Sequence, residues 1–265
     1  MAIRTIFSMA EDCARGERLG WQEFVRDFAG IARRLLSQYF PTLLPDSDQH
    51  LVSIFQRAQA SGASWFTGLK FSNEREFMMA FRELVFAYGR EKEAPPPATV
   101  TLDELQAAVN DLNLLERELL WLIVKGYDPQ SIAAIMMHAA ATAESVQRTA
   151  QERLSPLAAS PEALKACARS LMESAEQLKS EQCLALRTFN NLVNGQITWR
   201  ERELAEEHMK SCFYCMDRFT TFQELIRLRK DTPRLPENEV DAILSQLACG
   251  ASKPRGMLSR LFAGR

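Results

Sequence analysis

Residues 198–215 read TWRERELAEEHMKSCFYC, and this stretch decides the fold of the C-terminal part of the chain. Thr198 stands three residues before Glu201, a capping-box pattern that predicts the beginning of a helix. The stretch ends in two cysteines with two residues between them, and a histidine lies four residues before the first cysteine. The predicted helix therefore ends by presenting an imidazole beside a pair of thiols.

A cysteine further upstream completes a set of four possible metal ligands, namely Cys183, His208, Cys212 and Cys215. We expect Cys183 in the first turn of a helix over residues 180–194. Gly195 then folds this helix and the next into an antiparallel hairpin, which brings Cys183 back to the other three ligands. A closed set of four nitrogen and sulfur ligands is typical of structural zinc and leaves no position for a substrate water.

Two alternatives to zinc stay open on the sequence alone. A Cys-x2-Cys pair also occurs in redox sites, and the same residues would also serve as unligated buried cysteines with a surface histidine. The histidine at a fixed spacing and the upstream cysteine favour zinc. Cys13, Cys167 and Cys249 belong to no motif, so we expect them to be buried as small apolar side chains.

The segment from Cys183 to about Leu228 resembles the zinc-binding domain of bacterial anti-sigma factors, which carry His-x3-Cys-x2-Cys with an upstream Cys or His. The resemblance implies that Cys183, His208, Cys212 and Cys215 are the zinc ligands. It also implies a domain that binds a sigma factor. Some members release the sigma factor when their thiols are oxidised, a property that the motif does not determine.

The rest of the chain also shows helical patterning. Apolar residues recur with helical spacing along almost every segment, which predicts an all-α protein. Pro95-Pro96-Pro97 cannot continue a helix and indicates a linker. The predicted organisation is a helical domain over 1–93, a Pro-rich linker over 94–99, a helix-turn-helix domain over 100–158, a zinc-binding helical domain over 159–250 and a basic tail over 251–265.

Residues 100–154 contain the signals of a helix-turn-helix. Asn113 is expected to cap a helix over Leu114 to Lys125, Asp128-Pro129 to start the next helix, and Thr142 to cap the last one. Leu115-Glu116-Arg117-Glu118, Gly126-Tyr127 and Ile132-Ala133 resemble region four of extracytoplasmic-function sigma factors. By position, the resemblance implies a recognition helix whose DNA-binding residues are Thr142, Ser145, Arg148 and Arg153.

The charge of this block argues for weak DNA binding. It contains eight acids against four bases, whereas neutralisation of phosphates dominates DNA affinity. The whole chain has a formal net charge of -2, so any DNA contact must be local. A three-helix packing unit without DNA contact therefore stays open as the alternative.

The segment from Leu19 to Arg90 resembles sigma region two in order and size. Its closest match is Phe55-x-Arg57-Ala58 after an acidic loop, and the resemblance implies polymerase contacts by Asp48, Phe55 and Arg57. Trp65 and Phe66 are aromatic residues of the kind that stack on unpaired bases, but in a helical protein we expect them in the core.

These patterns together predict a cytoplasmic, non-enzymatic transcription regulator. Its expected partners are core RNA polymerase and promoter DNA, with an intramolecular contact between the zinc module and the sigma-like domains that restrains them. The alternative is a degenerate sigma-like scaffold, or an anti-sigma regulator, that no longer binds promoter DNA. The sequence carries no signal-peptide pattern and no membrane span, so we expect no membrane contact. It also carries no enzyme motif, and His50 and His138 have no evident catalytic partner, so we expect no small-molecule substrate.

Overall fold

The computed structural model describes residues 5–59, 65–97, 99–137, 140–154 and 161–247. Within these ranges the regular elements are helices and no strand occurs, which confirms the all-α prediction. None of the described helices combines the length and the apolar character needed to cross a membrane. His138, Cys249 and the predicted basic tail lie outside the described residues.

The N-terminal part of the fold is built on an aromatic core. Its helices are α1 (Ile6–Ala14), α2 (Arg18–Tyr39), α3 (Ser47–Gln59) and α4 (Glu74–Lys92), with short 3-10 turns at Pro41–Leu43 and Trp65–Gly68. Phe24 of α2 is fully buried, and its ring contacts those of Trp21, Phe28, Phe55, Trp65, Phe66, Phe77 and Phe81. Phe66 is therefore buried in the core, as expected, and the half-buried Trp65 packs against it.

The middle part contains the predicted helix-turn-helix order: α5 (Leu102–Val109), α6 (Leu114–Val124), α7 (Pro129–Met136) and α8 (Ala140–Leu154). The side chains of Asn113 and Asp128 accept backbone hydrogen bonds at the starts of α6 and α7, which confirms both caps. The prediction that Thr142 caps α8 is wrong, because the helix already begins at Ala140. Alanine is the best helix former, so the helix extends through Ala140 and Ala141, which precede Thr142 in the chain.

The C-terminal part consists of α9 (Pro161–Gln177), α10 (Leu186–Asn194), α11 (Trp199–Ser211), α12 (Phe213–Asp231) and α13 (Glu237–Leu244). Thr198 and Glu201 form the predicted capping box of α11. Gly195 ends α10 with a φ of +66°, a left-handed conformation that suits glycine.

The predicted position of Cys183 inside a helix is wrong, because α10 begins only at Leu186. Cys183 instead lies in a turn, where its backbone amide donates to the Ser180 carbonyl. The next amide, that of Leu184, donates to the Cys215 thiol at 3.3 Å. The Leu184 amide is thus used in a contact with Cys215 of α12, and it is not available for the hydrogen bonding of a longer helix α10.

Helix α12 lies at the centre of the molecule. It packs against α10 and α11 on the metal-binding side, and against α4, α6, α7 and α9 elsewhere, while α13 packs against α2. The buried side chains, from Met9 to Leu247, form one contiguous cluster. The C-terminal helices therefore share a core with the N-terminal and middle helices.

Candidate metal site and polar junction

Three short segments bring the four predicted metal ligands together. His208 lies in the last turn of α11, Cys212 separates α11 from α12, and Cys215 lies in the first turn of α12. Cys183 reaches the same place from the turn before α10. One potential ligand atom from each of the four side chains lies within 4.8 Å of the others, so the cluster could hold a metal ion.

The separations within the cluster fit a tetrahedral ion. The Sγ atoms of Cys183 and Cys212 are 3.9 Å apart, and Nε2 of His208 lies 3.2 Å from Sγ of Cys215. A tetrahedral ion with bonds of about 2.3 Å to sulfur separates two sulfur ligands by roughly 3.8 Å. The cysteines are free, and a gap of 3.9 Å is far longer than the roughly 2.05 Å of a disulfide.

The surroundings of the cluster favour negative charge on sulfur. Hydrogen bonds from the Cys215 thiol and backbone amide lower the pKa of Cys212 to about 5, although burial opposes this shift. The pKa of Cys215 is raised, first because its thiol is the hydrogen-bond donor to Cys212 and then because it is buried. Backbone amides donate to Cys183 and Cys215 at 3.3 Å, and the positive end of the α12 dipole lies at the same place.

A second group of polar side chains lies further along α12, where it meets the middle and N-terminal helices. We call Tyr39, Lys125, Asp217, Thr220, Thr221 and Glu224 the polar junction. Lys125 is fully buried at the end of α6, and its Nζ lies 2.8 Å from Asp217 and 3.6 Å from Glu224. It also donates to the Thr221 hydroxyl at 2.9 Å. The charge of this middle-segment lysine is thus balanced by residues of α12.

The tyrosines of the other segments complete the contacts of the polar junction. The hydroxyls of Tyr39 and Tyr127 both donate to Oε1 of Glu224, at 2.9 and 2.5 Å. The indole of Trp121 donates to Asp217 at 2.8 Å. Burial alone would raise the pKa of Asp217, but Lys125 and Arg82 outweigh it and hold that pKa below its usual value.

Ion pairs extend the contact between the C-terminal helices and α2 and α4. Arg229 of α12 pairs with Asp27 of α2 at 3.0 Å and with Glu74 of α4 at 2.9 Å. Arg218 pairs with Glu83 at 2.6 Å. This face of α12 and its neighbours is therefore rich in charge as well as apolar surface.

The residues implied in DNA binding lie on α8 in differing surroundings. Ser145 and Arg148 are exposed, and Thr142 is half-buried. Arg153 forms an ion pair with Asp111, so much of its charge is already neutralised.

The residues implied in polymerase binding do not form one surface. Asp48 is exposed and pairs with Arg33 at 2.9 Å, and Arg57 pairs with Glu91 at 2.8 Å. Phe55 is fully buried in the aromatic core, so its assignment to a surface contact does not fit this conformation. Its position in the sequence motif reflects packing against Phe24.

The spacing of the cysteines and His208 predicts the metal cluster, whereas the polar junction was not predicted from the sequence. A signal was present in α12, where Asp217, Thr220, Thr221 and Glu224 recur with helical spacing among apolar residues. Their partner Lys125 is more than ninety residues away in the chain, so no local pattern joins them. No protein-family model, curated protein or solved structure matches this chain significantly.

Proposed function

We propose that this protein is a sigma-factor-like transcription regulator whose C-terminal module binds zinc and restrains the sigma-like helices. The module comprises α9–α13, and the helices that it restrains are α2–α4 and α5–α8. The observation that carries the proposal is the burial of Lys125 at the end of α6, with its charge balanced by Asp217 and Glu224 of α12.

The donor set supports zinc as the metal. Three thiols and one imidazole at tetrahedral separations suit a soft or borderline ion, whereas magnesium and calcium prefer oxygen ligands. With four protein ligands the ion would have a structural role. Its part would be to fix the start of α12 against α11 and the turn that holds Cys183.

The polar junction supports a restraint that can be released. A buried ion pair adds little net stability but requires a specific partner arrangement. On separation, the charged groups of both sides regain water, so such an interface opens more readily than a purely apolar one. Because the module is covalently attached, its effective concentration is high, and even a weak contact would inhibit.

Metal binding and the polar junction lie on the same helix. Cys215 is in the first turn of α12, and Asp217 follows two residues later. Loss of the metal would free the start of α12 and weaken the contacts of Asp217 with the middle helices. The proposed output is greater access of core RNA polymerase and promoter DNA to the sigma-like helices.

The test compares the full-length chain with Cys212→Ser. We expect one zinc per chain in the wild type and a large loss of zinc in the variant, measured by elemental analysis. We also expect core RNA polymerase to bind the variant about tenfold more tightly, which corresponds to about 1.4 kcal/mol. Cys167→Ser is the matched control, because Cys167 is a buried cysteine outside the metal cluster. Loss of zinc without tighter polymerase binding would contradict the restraint.

A second candidate function is a sigma-like interaction scaffold that no longer binds promoter DNA. The ion pair between Arg153 and Asp111, and the exposed acids Glu144 and Glu152 on α8, favour it. The wild-type chain and the Cys212→Ser variant also distinguish the two functions. A folded chain that binds neither polymerase nor promoter DNA, with or without zinc, fits the scaffold, whereas salt-dependent promoter binding in a gel shift fits the regulator.

A further inference from the structure

A cavity of about 490 Å³ lies where the middle helices meet the metal-binding helices. Residues of α6 and α7 line one side of the cavity, and residues of α10, α11 and α12 line the other. Ligand pockets in proteins commonly have volumes of about 300–1,000 Å³. The volume is therefore sufficient for a small organic molecule.

Two side chains that line the cavity, Glu118 and Gln223, carry acceptor oxygens without partners among the described residues, and the cations Arg202 and Lys210 line it as well. Glu118 of α6 is only 5% exposed, yet it makes no hydrogen bond or ion pair with any residue that the structure describes. Oε1 of Gln223 on α12 is buried and likewise has no hydrogen-bond partner in the described part of the chain. Buried polar groups are nearly always paired, so these two side chains are placed to accept hydrogen bonds from a donor bound in the cavity.

A third acceptor lies on the opposite wall. Glu206 of α11 lines the cavity and pairs with Arg202 only at 3.9 Å. The other walls are largely apolar, formed by Leu115, Met136, Leu192, Met209 and Phe219. The cavity thus combines a group of acceptor oxygens with an aliphatic and aromatic lining.

We infer that this cavity binds a primary aliphatic amine, whose ammonium group donates to Glu118 and Gln223 while its carbon chain contacts the apolar walls. An ammonium group carries three donors and no acceptor, which matches the unpaired oxygens. Magnesium or calcium would require six or more oxygen ligands, and this lining of thioether and hydrocarbon side chains does not offer them. The inference does not depend on the proposed transcriptional role.

The protonation of Glu118 provides a second readout of the same contact. Burial, with a smaller contribution from Glu206, raises the pKa of Glu118 to about 8. The other charged groups that line the cavity are Arg202 and Lys210 of α11, while the lining residues of α7, α10 and α12 are uncharged. An ammonium group beside Glu118 would favour its ionised form, so binding at pH 7 should release protons.

The test is a titration of the full chain with cadaverine, with 1,5-pentanediol as the neutral analogue of the same length. We expect cadaverine to raise Tm by about 5 °C when its concentration is about a hundredfold above Kd, and the diol to have no effect. Calorimetry in two buffers of different ionisation enthalpy should show the proton release. Glu118→Gln and Gln223→Met should each weaken amine binding at least tenfold.

Glu203→Gln is the matched control, because Glu203 is an exposed acid on the same helix as Glu206 but does not line the cavity. This variant should bind cadaverine as the wild type does. The inference is overturned if cadaverine does not bind, if the diol or magnesium chloride stabilises the protein equally, or if both cavity variants, shown to be folded, bind the amine with unchanged affinity.

Discussion

The aromatic core around Phe24 and the polar junction around Lys125 are both buried, but they exclude water in different ways. In the aromatic core, rings from α2, α3 and α4 contact one another, with centroid distances of 5.1 Å for Phe24–Phe55 and 5.5 Å for Phe24–Phe81. In the polar junction, charged and hydroxyl groups from different parts of the chain form hydrogen bonds and ion pairs with Asp217 and Glu224. The first joins helices of the N-terminal segment, and the second joins α12 to the rest of the fold.

The two regions differ in how strictly their contacts require one geometry. Apolar contact depends mainly on the area removed from water and tolerates rearrangement of shape. A buried ion pair is favourable only in one geometry, and it becomes costly when one partner is removed. We therefore interpret the aromatic core as the stable base of the fold and the polar junction as the contact that fixes the position of α12.

The largest effect is expected from Phe24→Ala. Phe24 is fully buried and contacts rings on several elements, so its truncation removes apolar contacts and leaves a cavity. The free energy of unfolding should fall by about 5 kcal/mol, the upper end of the range for such changes. Denaturant unfolding followed by circular dichroism measures it. Phe7→Ala is the control, because Phe7 is 43% exposed and its truncation should lower the free energy of unfolding much less. Equal losses of stability in the two variants would contradict the interpretation of the aromatic core as the stable base of the fold.

A smaller effect is expected from Asp217→Ala, which leaves Lys125 buried without its nearest carboxylate. The free energy of unfolding should fall by about 3 kcal/mol. Lys125→Met removes the unpaired charge. The free energy of unfolding of the double variant, Asp217→Ala with Lys125→Met, should therefore fall by less than the sum of the losses in the two single variants. A double-mutant cycle should give a coupling energy of about 1–3 kcal/mol, whereas additive losses would show that the pair does not interact.

The local features of this fold were predictable from the sequence because their causes are local. Asn113, Asp128 and Thr198 each precede a helix and cap it with their own side chain. The metal cluster was predictable for a related reason, since Cys212 and Cys215 are neighbours in the chain and a single helix places His208 beside them. In these cases the residue type and the spacing together define the geometry.

The features that the sequence did not reveal depend on distant partners. Cys183 lies in a turn because the following amide bonds to Cys215, a residue 31 positions away. Lys125 is a typical surface residue by type, and only α12 makes its burial tolerable. Glu118 belongs to the segment Leu115-Glu116-Arg117-Glu118, and nothing in that segment indicates that its carboxyl group faces a cavity.

Glu118 and Asp217 are both buried acids at contacts made by the C-terminal helices, and they should respond differently to pH. Asp217 pairs with Lys125, whereas Glu118 has no cationic partner among the described residues. The pKa of Asp217 is lowered, so its contribution to stability is present above its unfolded pKa and is lost as the pH falls through its folded value. The pKa of Glu118 is raised from 4.5 to about 8, so the folded state binds that proton more tightly than the unfolded state. The stability contributed by Glu118 is therefore full below its unfolded pKa and declines as the pH rises from 4.5 to about 8.

The last effect, expected from Glu118→Gln, is a gain in stability that should grow as the pH rises from 4.5 to about 8. Glutamine cannot ionise, so the variant should gain stability over the wild type as the pH rises, by on the order of 2–4 kcal/mol at pH 9 and by little near pH 5. Denaturant unfolding of both proteins across this range measures the difference, with Glu203→Gln as the exposed control that should follow the wild type. Parallel curves for the wild type and Glu118→Gln would mean that Glu118 ionises normally in the folded protein. Divergence between about pH 4.5 and pH 8 would establish that a buried acid opposes the same interface that Asp217 and Lys125 stabilise.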